Sequence, residues 1–471
     1  MVFNSLSFLI FFAVVLLFHN LVPSWKVRKK GLLFFSYLFY AAWNPPFVIL
    51  LWISTAVDWV AGKKIINAKT RFQKKVFLTL SLVANLGLLG FFKYGNFLLD
   101  NFIYLLGLIN IDYHPARPDI ILPVGISFYT FQSMSYSLDI YRGKMKQWRS
   151  FWDFALYVTF FPQLVAGPIV RAIDFLPQLI EPVKVSARRL GWGLSLLVIG
   201  LYEKVFLADA IFAPVVDSVY GNTAKAGFAD AWLGTLAFSG QIFFDFAGYS
   251  TCAIGTALCL GFILPDNFKY PYGAIGFADF WRRWHISLST WLRDYLYIPL
   301  GGNRKGPTKA YVNLMLTMLI GGLWHGASWR YVIWGGLHGA FLMADRLIRK
   351  RFKPVDLGTH KLFAFFLATL TYFFLQFTWV VFRSQDFTSV FNLLQQMFQF
   401  NPSTVLTTEE IIVIGTISVV VFLYHYWMRD HSIEDLVLRM PAAARVFFLA
   451  VMLITLALIP GDDRAFIYFQ F

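Results

Sequence analysis

Long apolar segments recur along this chain, and several are about as long as the hydrocarbon layer of a membrane is thick. A transmembrane helix needs roughly 20 apolar residues. Apolar runs lie near residues 3–22, 31–43, 46–62, 76–92, 120–141, 361–382, 409–428 and 446–460. Only 14% of the 471 residues are charged and 58% are hydrophobic, whereas soluble domains carry about 25% charged residues. We therefore predict an all-α, polytopic membrane protein with room for about ten or more transmembrane helices.

The basic residues indicate how the chain is oriented. Lys and Arg number 41 against 26 Asp and Glu, a net charge of +15, which in a soluble protein would favour nucleic-acid binding. Here they cluster in short gaps between apolar runs, at residues 26–30, 63–75, 142–149, 184–189 and 346–353. Such clusters mark cytoplasmic loops. We predict a membrane-lipid environment, no nucleic-acid partner, and both termini on the outer face.

The alternation of cytoplasmic and outer gaps fails in two places. Residues 152–170 and 310–345 are apolar but have basic stretches at both ends, which predicts re-entrant segments or helix pairs. Residues 228–264 fit either one bent span or two. Within 310–345, two legs of 15 residues would each be about 22 Å long, less than the roughly 30 Å hydrocarbon core. Their junction, residues 324–330, is therefore predicted to lie inside the membrane and to place His325 there.

His325 has two interpretations from its position alone. Ionisable groups inside a membrane are costly and usually functional, but an interior histidine can also hydrogen-bond between helices. Burial keeps an imidazole neutral, and a neutral imidazole can take the proton from a hydroxyl that attacks an activated ester. The functional interpretation is therefore acyl transfer.

Other ionisable residues in apolar runs could assist that chemistry. Asp58, Asp139 and Asp245 could each pair with an Arg or a His, and Asp245 is the best candidate for orienting a catalytic group. We predict no metal site, because the spacing of His285 and His325 matches no zinc motif.

Residues 279–304 interleave aromatic and basic side chains. Residues 281–293 contain three Trp, three Arg and a His. They could form an interfacial amphipathic helix with Trp and Arg at headgroup depth. They could equally form a cytoplasmic vestibule in which Arg binds an anionic substrate. The residues alone leave both interpretations open.

Six segments carry a family resemblance. They are 280–298 (FWRRWHISLSTWLRDYLYI), 301–304 (GGNR), 321–327 (GGLWHGA), 122–131 (LPVGISFYTF), 166–168 (AGP) and 244–250 (FDFAGYS). Together they resemble the membrane-bound O-acyltransferase family, and in particular its bacterial alginate and related exopolysaccharide O-acetylases. The resemblance runs over nearly the whole chain, but it does not identify the polysaccharide.

The resemblance implies a single integral-membrane acyltransferase domain, residues 1–471, whose helices and re-entrant segments surround a central tunnel. His325 matches the family's invariant histidine and His285 its second polar catalytic position. With no bound cofactor, acetyl-CoA would enter from the cytoplasm as the donor substrate, and the acetyl group would leave on the outer face for an exported polysaccharide such as alginate or cellulose. The implied donor-binding candidates are Trp281, Arg282, Arg283, Trp284 and Arg293.

The last residues, 466–471, fit an F-x-Y-x-x-F pattern. In related acyl-export systems a terminal tyrosine is thought to relay the acyl group, so the resemblance makes Tyr468 a possible relay. The alternative is an aromatic belt at the outer interface. The resemblance also implies a bacterial inner-membrane location and a periplasmic SGNH-like acetyltransferase partner in an exopolysaccharide pathway.

Two other functions remain possible at this point. A transporter or flippase without acyl chemistry would also carry intramembrane charges, but transporters commonly have matched broken helices in two halves. Here the unusual polar residues are concentrated in 279–346. The chain could also be a scaffold subunit of a secretion complex.

Overall fold

The computed structural model describes residues 1–148, 150–165, 167–351, 360–459, 464 and 466–467. Within these ranges the regular structure is helical and contains no strand, which confirms the all-α prediction. The chain divides into two compact units, residues 1–197 with 252–265 and residues 198–251 with 266–471. The interpretation of the whole chain as one domain stays a prediction.

The first unit consists of membrane-length helices followed by short ones. Its helices are α1 (Leu6–Leu21), α2 (Trp25–Ala41), α3 (Val48–Asn67), α4 (Arg71–Leu108), α5 (Ile126–Tyr141), α6 (Phe151–Thr159), α7 (Phe161–Leu164), α8 (Ala172–Phe175) and α9 (Ala187–Leu201), the last of which ends in the second unit. A capping box between Thr70 and Gln73 starts α4, which continues 16 residues beyond the predicted span 76–92.

A buried carboxylate joins three helices of this unit. Asp58 on α3 accepts hydrogen bonds from Ser81 and Asn85 on α4, at 2.5 and 2.8 Å, and from Ser137 on α5 at 2.5 Å. Its partners are thus hydroxyl and amide groups and not the Arg or His that we predicted. Hydrogen bonding of this kind is what makes a buried polar group tolerable.

The second unit carries most of the residues singled out above. Its helices are α10 (Ala213–Gly221), α11 (Phe228–Cys259), α12 (Phe277–Arg283), α13 (Ile286–Leu292), α14 (Pro307–His325), α15 (Trp329–Arg351), α16 (Lys361–Arg383), α17 (Phe387–Gln396), α18 (Thr408–Met428), α19 (Ile433–Arg439) and α20 (Ala442–Leu458). Helix α11, which ends in the first unit, is continuous over 32 residues. The ambiguity over 228–264 is therefore resolved in favour of one long helix.

Five of the described helical segments are long enough and apolar enough to cross a membrane. They are Pro45–Asn67, Arg71–Leu108, Phe228–Cys259, Lys361–Arg383 and Thr408–Met428. The apolar helices α1 and α20 are shorter, at 16 and 17 residues. Several independent spans make the chain a multi-pass membrane protein.

Helices α14 and α15 form an antiparallel pair whose backbones approach closely. A Cβ atom on Gly322 would lie 3.0 Å from the Cα of Gly335, and one on Gly335 would collide with the carbonyl oxygen of Met318. Gly322 and Gly335 are therefore close-packing points between the two helices, as is common for small residues between membrane helices. The predicted legs of 15 residues were wrong, because the helices have 19 and 23 residues, or about 28 and about 34 Å.

The close approach of α14 and α15 predicts a strong difference between two neighbouring glycines. We expect Gly335→Ala to lower stability by about 1–3 kcal/mol, because the added methyl overpacks the contact. The matched control is Gly336→Ala, where the nearest atom to a new Cβ, Leu319 Cδ2, is an ordinary 3.4 Å away. Thermal unfolding in detergent measures both. Equal unfolding temperatures would contradict the close contact.

Candidate functional site

His325 is the last residue of α14, and a three-residue turn separates it from α15. Its side chain is buried, at 2% exposure. Three aromatic rings contact the imidazole, with ring centroids at 5.1 Å for Trp324, 5.0 Å for Trp334 and 5.6 Å for Phe382. An apolar enclosure of this kind disfavours the charged imidazole, so His325 is suited to accept a proton.

His285 lies between α12 and α13 in a backbone conformation that only a few non-glycine residues adopt. Its φ and ψ are 42° and 56°, in the left-handed region. The loop around Asn267 holds it there: Ile286 N–H donates to the Asn267 carbonyl at 2.9 Å, and Ser287 Oγ donates to Asn267 Oδ1 at 2.8 Å. Ser250 Oγ in turn accepts from Asn267 Nδ2 at 3.1 Å. Strained backbone held by its surroundings is frequent at functional sites.

The structure brings the two histidines together. The ring centroids of His285 and His325 are 6.4 Å apart, and the His285 ring is completely buried. Phe246 contacts His285 edge-on at 4.6 Å and Trp324 contacts it at 5.8 Å. A group lying between the two imidazoles can be within the roughly 2.6–3.2 Å reach of a catalytic hydrogen bond to each of them.

Two of the predicted donor-binding residues have structural partners instead. Trp284 is completely buried, with Trp379 at 5.2 Å and Phe280 stacked at 5.6 Å. The Arg283 guanidinium bonds Asp279 at 3.0 Å and the Arg429 carbonyl at 2.5 Å. These contacts account for both residues as parts of the fold.

The other three predicted donor-binding residues are accessible. Arg282 is exposed and Trp281 is half-buried. The Arg293 side chain is 59% exposed and pairs with Asp294 at 2.7 Å. The basic and aromatic cluster of the sequence therefore divides into a buried structural part and an accessible part.

Asp245, which we predicted to orient a catalytic group, contacts a lysine and the end of the chain. One carboxylate oxygen pairs with the ammonium of Lys204, which also bonds Asp209 at 2.8 Å. The other oxygen accepts the backbone N–H of Ile467 at 2.8 Å. Lys204 and Asp209 belong to a π-helical segment, Tyr202–Phe212, a conformation that often marks functional sites. Asp245 thus positions the end of the chain.

The segment before Tyr468 is folded into the second unit. Phe466 is completely buried, with ring centroids 4.7 Å from Tyr249 and 5.5 Å from Phe246. Arg464 pairs with Asp217 at 2.5 Å. An aromatic belt at the membrane surface does not fit Phe466. Tyr468 itself lies outside the described residues.

Sequence reasoning missed two residues of this region. His338 is completely buried one turn after Trp334 on α15. Lys204 lies in a long apolar stretch, five residues before Asp209. A lysine in an apolar stretch needs a partner, and carboxylates also lie in apolar runs of this chain. Together these residues could have predicted a buried ion pair.

The comparison with known proteins gives the chain its family. Residues 36–384 match the model of MBOAT, the membrane-bound O-acyltransferase family. The chain belongs to this family. The match includes the α14–α15 junction with His325 and the loop with His285, so both histidines lie in the part that the family shares.

Relatives of this acyltransferase are named as acetylating enzymes for alginate and for peptidoglycan. This chain is 40% identical over 407 residues to the probable alginate O-acetylase AlgI of Azotobacter vinelandii, and the alignment covers 86% of this chain and 79% of the relative. It is 38% identical over 401 residues to the peptidoglycan O-acetyltransferase of Helicobacter pylori, covering 79% and 74%. The chain is therefore a multi-pass membrane O-acyltransferase of the acetyltransferase type.

A more distant relative of this acyltransferase transfers a different acyl group. The teichoic acid D-alanyltransferase of Lacticaseibacillus rhamnosus is 29% identical over 255 residues, covering 50% of this chain and 62% of the relative. Because the family identification indicates acyl chemistry, it disfavours the transporter, flippase and scaffold alternatives.

Proposed function

We propose that this acyltransferase takes an acetyl group from cytoplasmic acetyl-CoA and passes it across the inner membrane for the O-acetylation of an exported polysaccharide such as alginate or cellulose. The observation that carries the proposal is the pair of buried imidazoles, His285 and His325, 6.4 Å apart in an aromatic enclosure. The names of the relatives support the acetyl group and the polysaccharide class.

In the proposed reaction His325 acts as the general base. Its neutral imidazole takes the proton of the acceptor hydroxyl while the hydroxyl oxygen attacks the thioester carbonyl. The carbon–sulfur bond breaks, and the imidazolium returns the proton to the departing thiolate. His285 donates an N–H hydrogen bond to the carbonyl oxygen as negative charge develops there. The aromatic walls exclude water that would hydrolyse the thioester.

The donor enters from the cytoplasmic side in this proposal. Arg282 and Arg293 are the accessible guanidinium groups of the cluster, and guanidinium suits phosphate recognition. They would bind the donor phosphates, whereas Arg283 and Trp284 hold the surrounding helices in place.

Tyr468 is the proposed relay between the donor and an acceptor outside. The proposal is supported by the buried Phe466 and by the hydrogen bond that the Ile467 N–H donates to Asp245, which hold the two residues just before Tyr468. An acetyl group on the phenol oxygen would pass to a periplasmic SGNH-like transferase, with both termini of this chain on the periplasmic side. That partner would complete transfer to the polymer.

The relay predicts a specific effect of Tyr468→Phe, which removes only the hydroxyl. We expect polysaccharide acetylation to fall by roughly tenfold or more, because the hydroxyl that takes the acetyl group from the thioester donor is lost. Acetyl content of secreted polymer measures it. The matched control is Tyr424→Phe, on α18. Wild-type acetylation in the Tyr468 variant would contradict the relay.

The whole proposal is tested with purified protein in liposomes. Labelled acetyl-CoA supplied on the side of the basic loops should be consumed, with label appearing on protein or acceptor. Deletion of the gene should remove acetyl groups from the secreted polysaccharide, which mass analysis detects. Substrate movement across the liposome without thioester turnover would contradict the proposal and favour a transporter.

A further inference from the structure

Three side chains on α12 and α15 form a buried polar cluster that the proposed chemistry does not use. They are Trp281, Trp334 and His338. The His338 ring centroid lies 4.5 Å from Trp334 and 5.2 Å from Trp281, and the two tryptophans are 5.9 Å apart. The His338 side chain is completely buried. We refer to these residues as the His338 cluster.

The polar atoms of the His338 cluster have no hydrogen-bond partner among the described residues. This holds for both ring nitrogens of His338 and for the indole nitrogens of Trp281 and Trp334. A single buried polar group without a partner is destabilising, and nearly all such groups in folded proteins are bonded to protein or water. Several such polar groups in mutual contact indicate a binding site whose hydrogen-bond partner comes from outside the chain.

The chemistry of the cluster defines that partner. Two indole N–H groups and a neutral imidazole offer three donors and one acceptor, which matches carbonyl oxygens and an N–H. Two further aromatic rings contact His338, each with its centroid at 5.9 Å: Phe277 edge-on and Phe280 stacked. These contacts carry no charge. The matching group is an uncharged amide on a slender chain.

The position of the cluster agrees with that chemistry. Trp334 contacts both His325, at 5.0 Å, and His338. Beyond His338, α15 continues for about 16 Å to Arg349 and ends in the basic residues Arg349, Lys350 and Arg351. From His325 to the end of α15 the order is therefore imidazole, amide-matching cluster and cations. An acyl-CoA likewise has its thioester next to an amide-bearing arm.

We propose that the His338 cluster binds the amide-bearing arm of the thioester donor and so positions the thioester at His325. The assignment rests on the proposed function, because it takes a thioester donor as given. Trp281 is half-buried and is therefore the member of the cluster nearest the protein surface.

The test compares two small donors in the full-length enzyme. One is the thioacetate of N-acetylcysteamine, which keeps an amide. The other is the thioacetate of an alkanethiol of similar length, which has none. Wild-type enzyme should prefer the first in kcat/KM. In His338→Phe this preference should shrink by about tenfold, the worth of roughly one hydrogen bond to a buried partner, and KM for acetyl-CoA should rise more than kcat falls.

Further variants separate binding from folding. His338→Gln keeps a hydrogen-bonding side chain and should recover part of the preference, and Trp334→Phe, which removes one N–H, should reduce it. The matched control is His425→Phe: His425 is also completely buried, but its Nδ1 accepts the Tyr272 backbone N–H at 3.2 Å. That variant should lower the unfolding temperature and leave the donor preference unchanged.

The possible failures are distinguishable. A folded His338→Phe enzyme with wild-type donor preference and KM would overturn the assignment alone and indicate that the cluster binds only structural water. Wild-type enzyme that turns over no thioester would overturn the proposed function, and the assignment with it.

Discussion

Replacing His325 with alanine is expected to reduce acetyl transfer by about 10²–10⁴-fold, the usual contribution of a positioned general base. The imidazole is buried beside His285 and within an aromatic enclosure, so water is poorly placed to substitute for it. The loss should fall on kcat, because the proton is transferred in the transition state. Release of labelled acetyl from acetyl-CoA in proteoliposomes measures it.

The control for His325→Ala is His431→Ala, at an exposed histidine beyond α18, which should keep wild-type turnover. Size-exclusion profile and unfolding temperature establish that the His325 variant is folded. If that folded variant turned over donor as fast as the wild type, His325 would not be the base, and the proposed mechanism would be wrong.

Lys204→Met is expected to destabilise the protein by about 3–5 kcal/mol, because it leaves the carboxylates of Asp209 and Asp245 buried without the ammonium that pairs with them. The side chains of Lys204, Asp209 and Asp245 are each only 3% exposed, and the one ammonium bonds both carboxylates. Asp245 also holds the Ile467 N–H, so the end of the chain should become accessible to protease. Thermal unfolding and limited proteolysis in detergent report the two effects.

Two controls test whether the unpaired buried charge is the cause. The triple variant Lys204→Met, Asp209→Asn, Asp245→Asn removes all three charges and should recover much of the lost stability. Arg117→Met breaks an exposed ion pair with Asp100 and should cost about 0–1 kcal/mol. A Lys204→Met protein as stable as wild type would show that the buried pairing contributes little.

The prominence of His325 could be predicted from the sequence for a physical reason. Basic residues predict which loops are cytoplasmic. An apolar segment with basic residues at both ends breaks the alternation of cytoplasmic and outer loops, which indicates an irregular segment, and one such segment contains His325. The lengths of α14 and α15 could not be predicted in the same way. An apolar run ends at the first charged side chain, but a helix can continue past it. Helix α14 includes Lys309, and α15 continues through Arg346 to Arg351. The long basic side chains at these helix ends can keep their charge in water.

The sequence could not predict which residues of the 281–293 cluster are structural and which are accessible. Arg282 and Arg283 are neighbours of the same type, yet one is exposed and the other bonds Asp279 and the Arg429 carbonyl. Helical rotation of about 100° per residue points adjacent side chains in different directions. Which direction meets a partner depends on α18 and the residues after it, far along the chain.

Composition, local periodicity and short motifs were enough to predict the membrane class, the helical architecture and the family, and the motifs singled out His285 and His325 as candidates. The folded structure was needed to show that the two histidines are neighbours, that Asp245 accepts the Ile467 N–H directly, and that both His338 nitrogens lack a hydrogen-bond partner among the described residues. Each of these facts is a contact between side chains distant in sequence: Asp245 and Ile467 are 222 residues apart. Such contacts arise from helix packing, which local propensity does not encode.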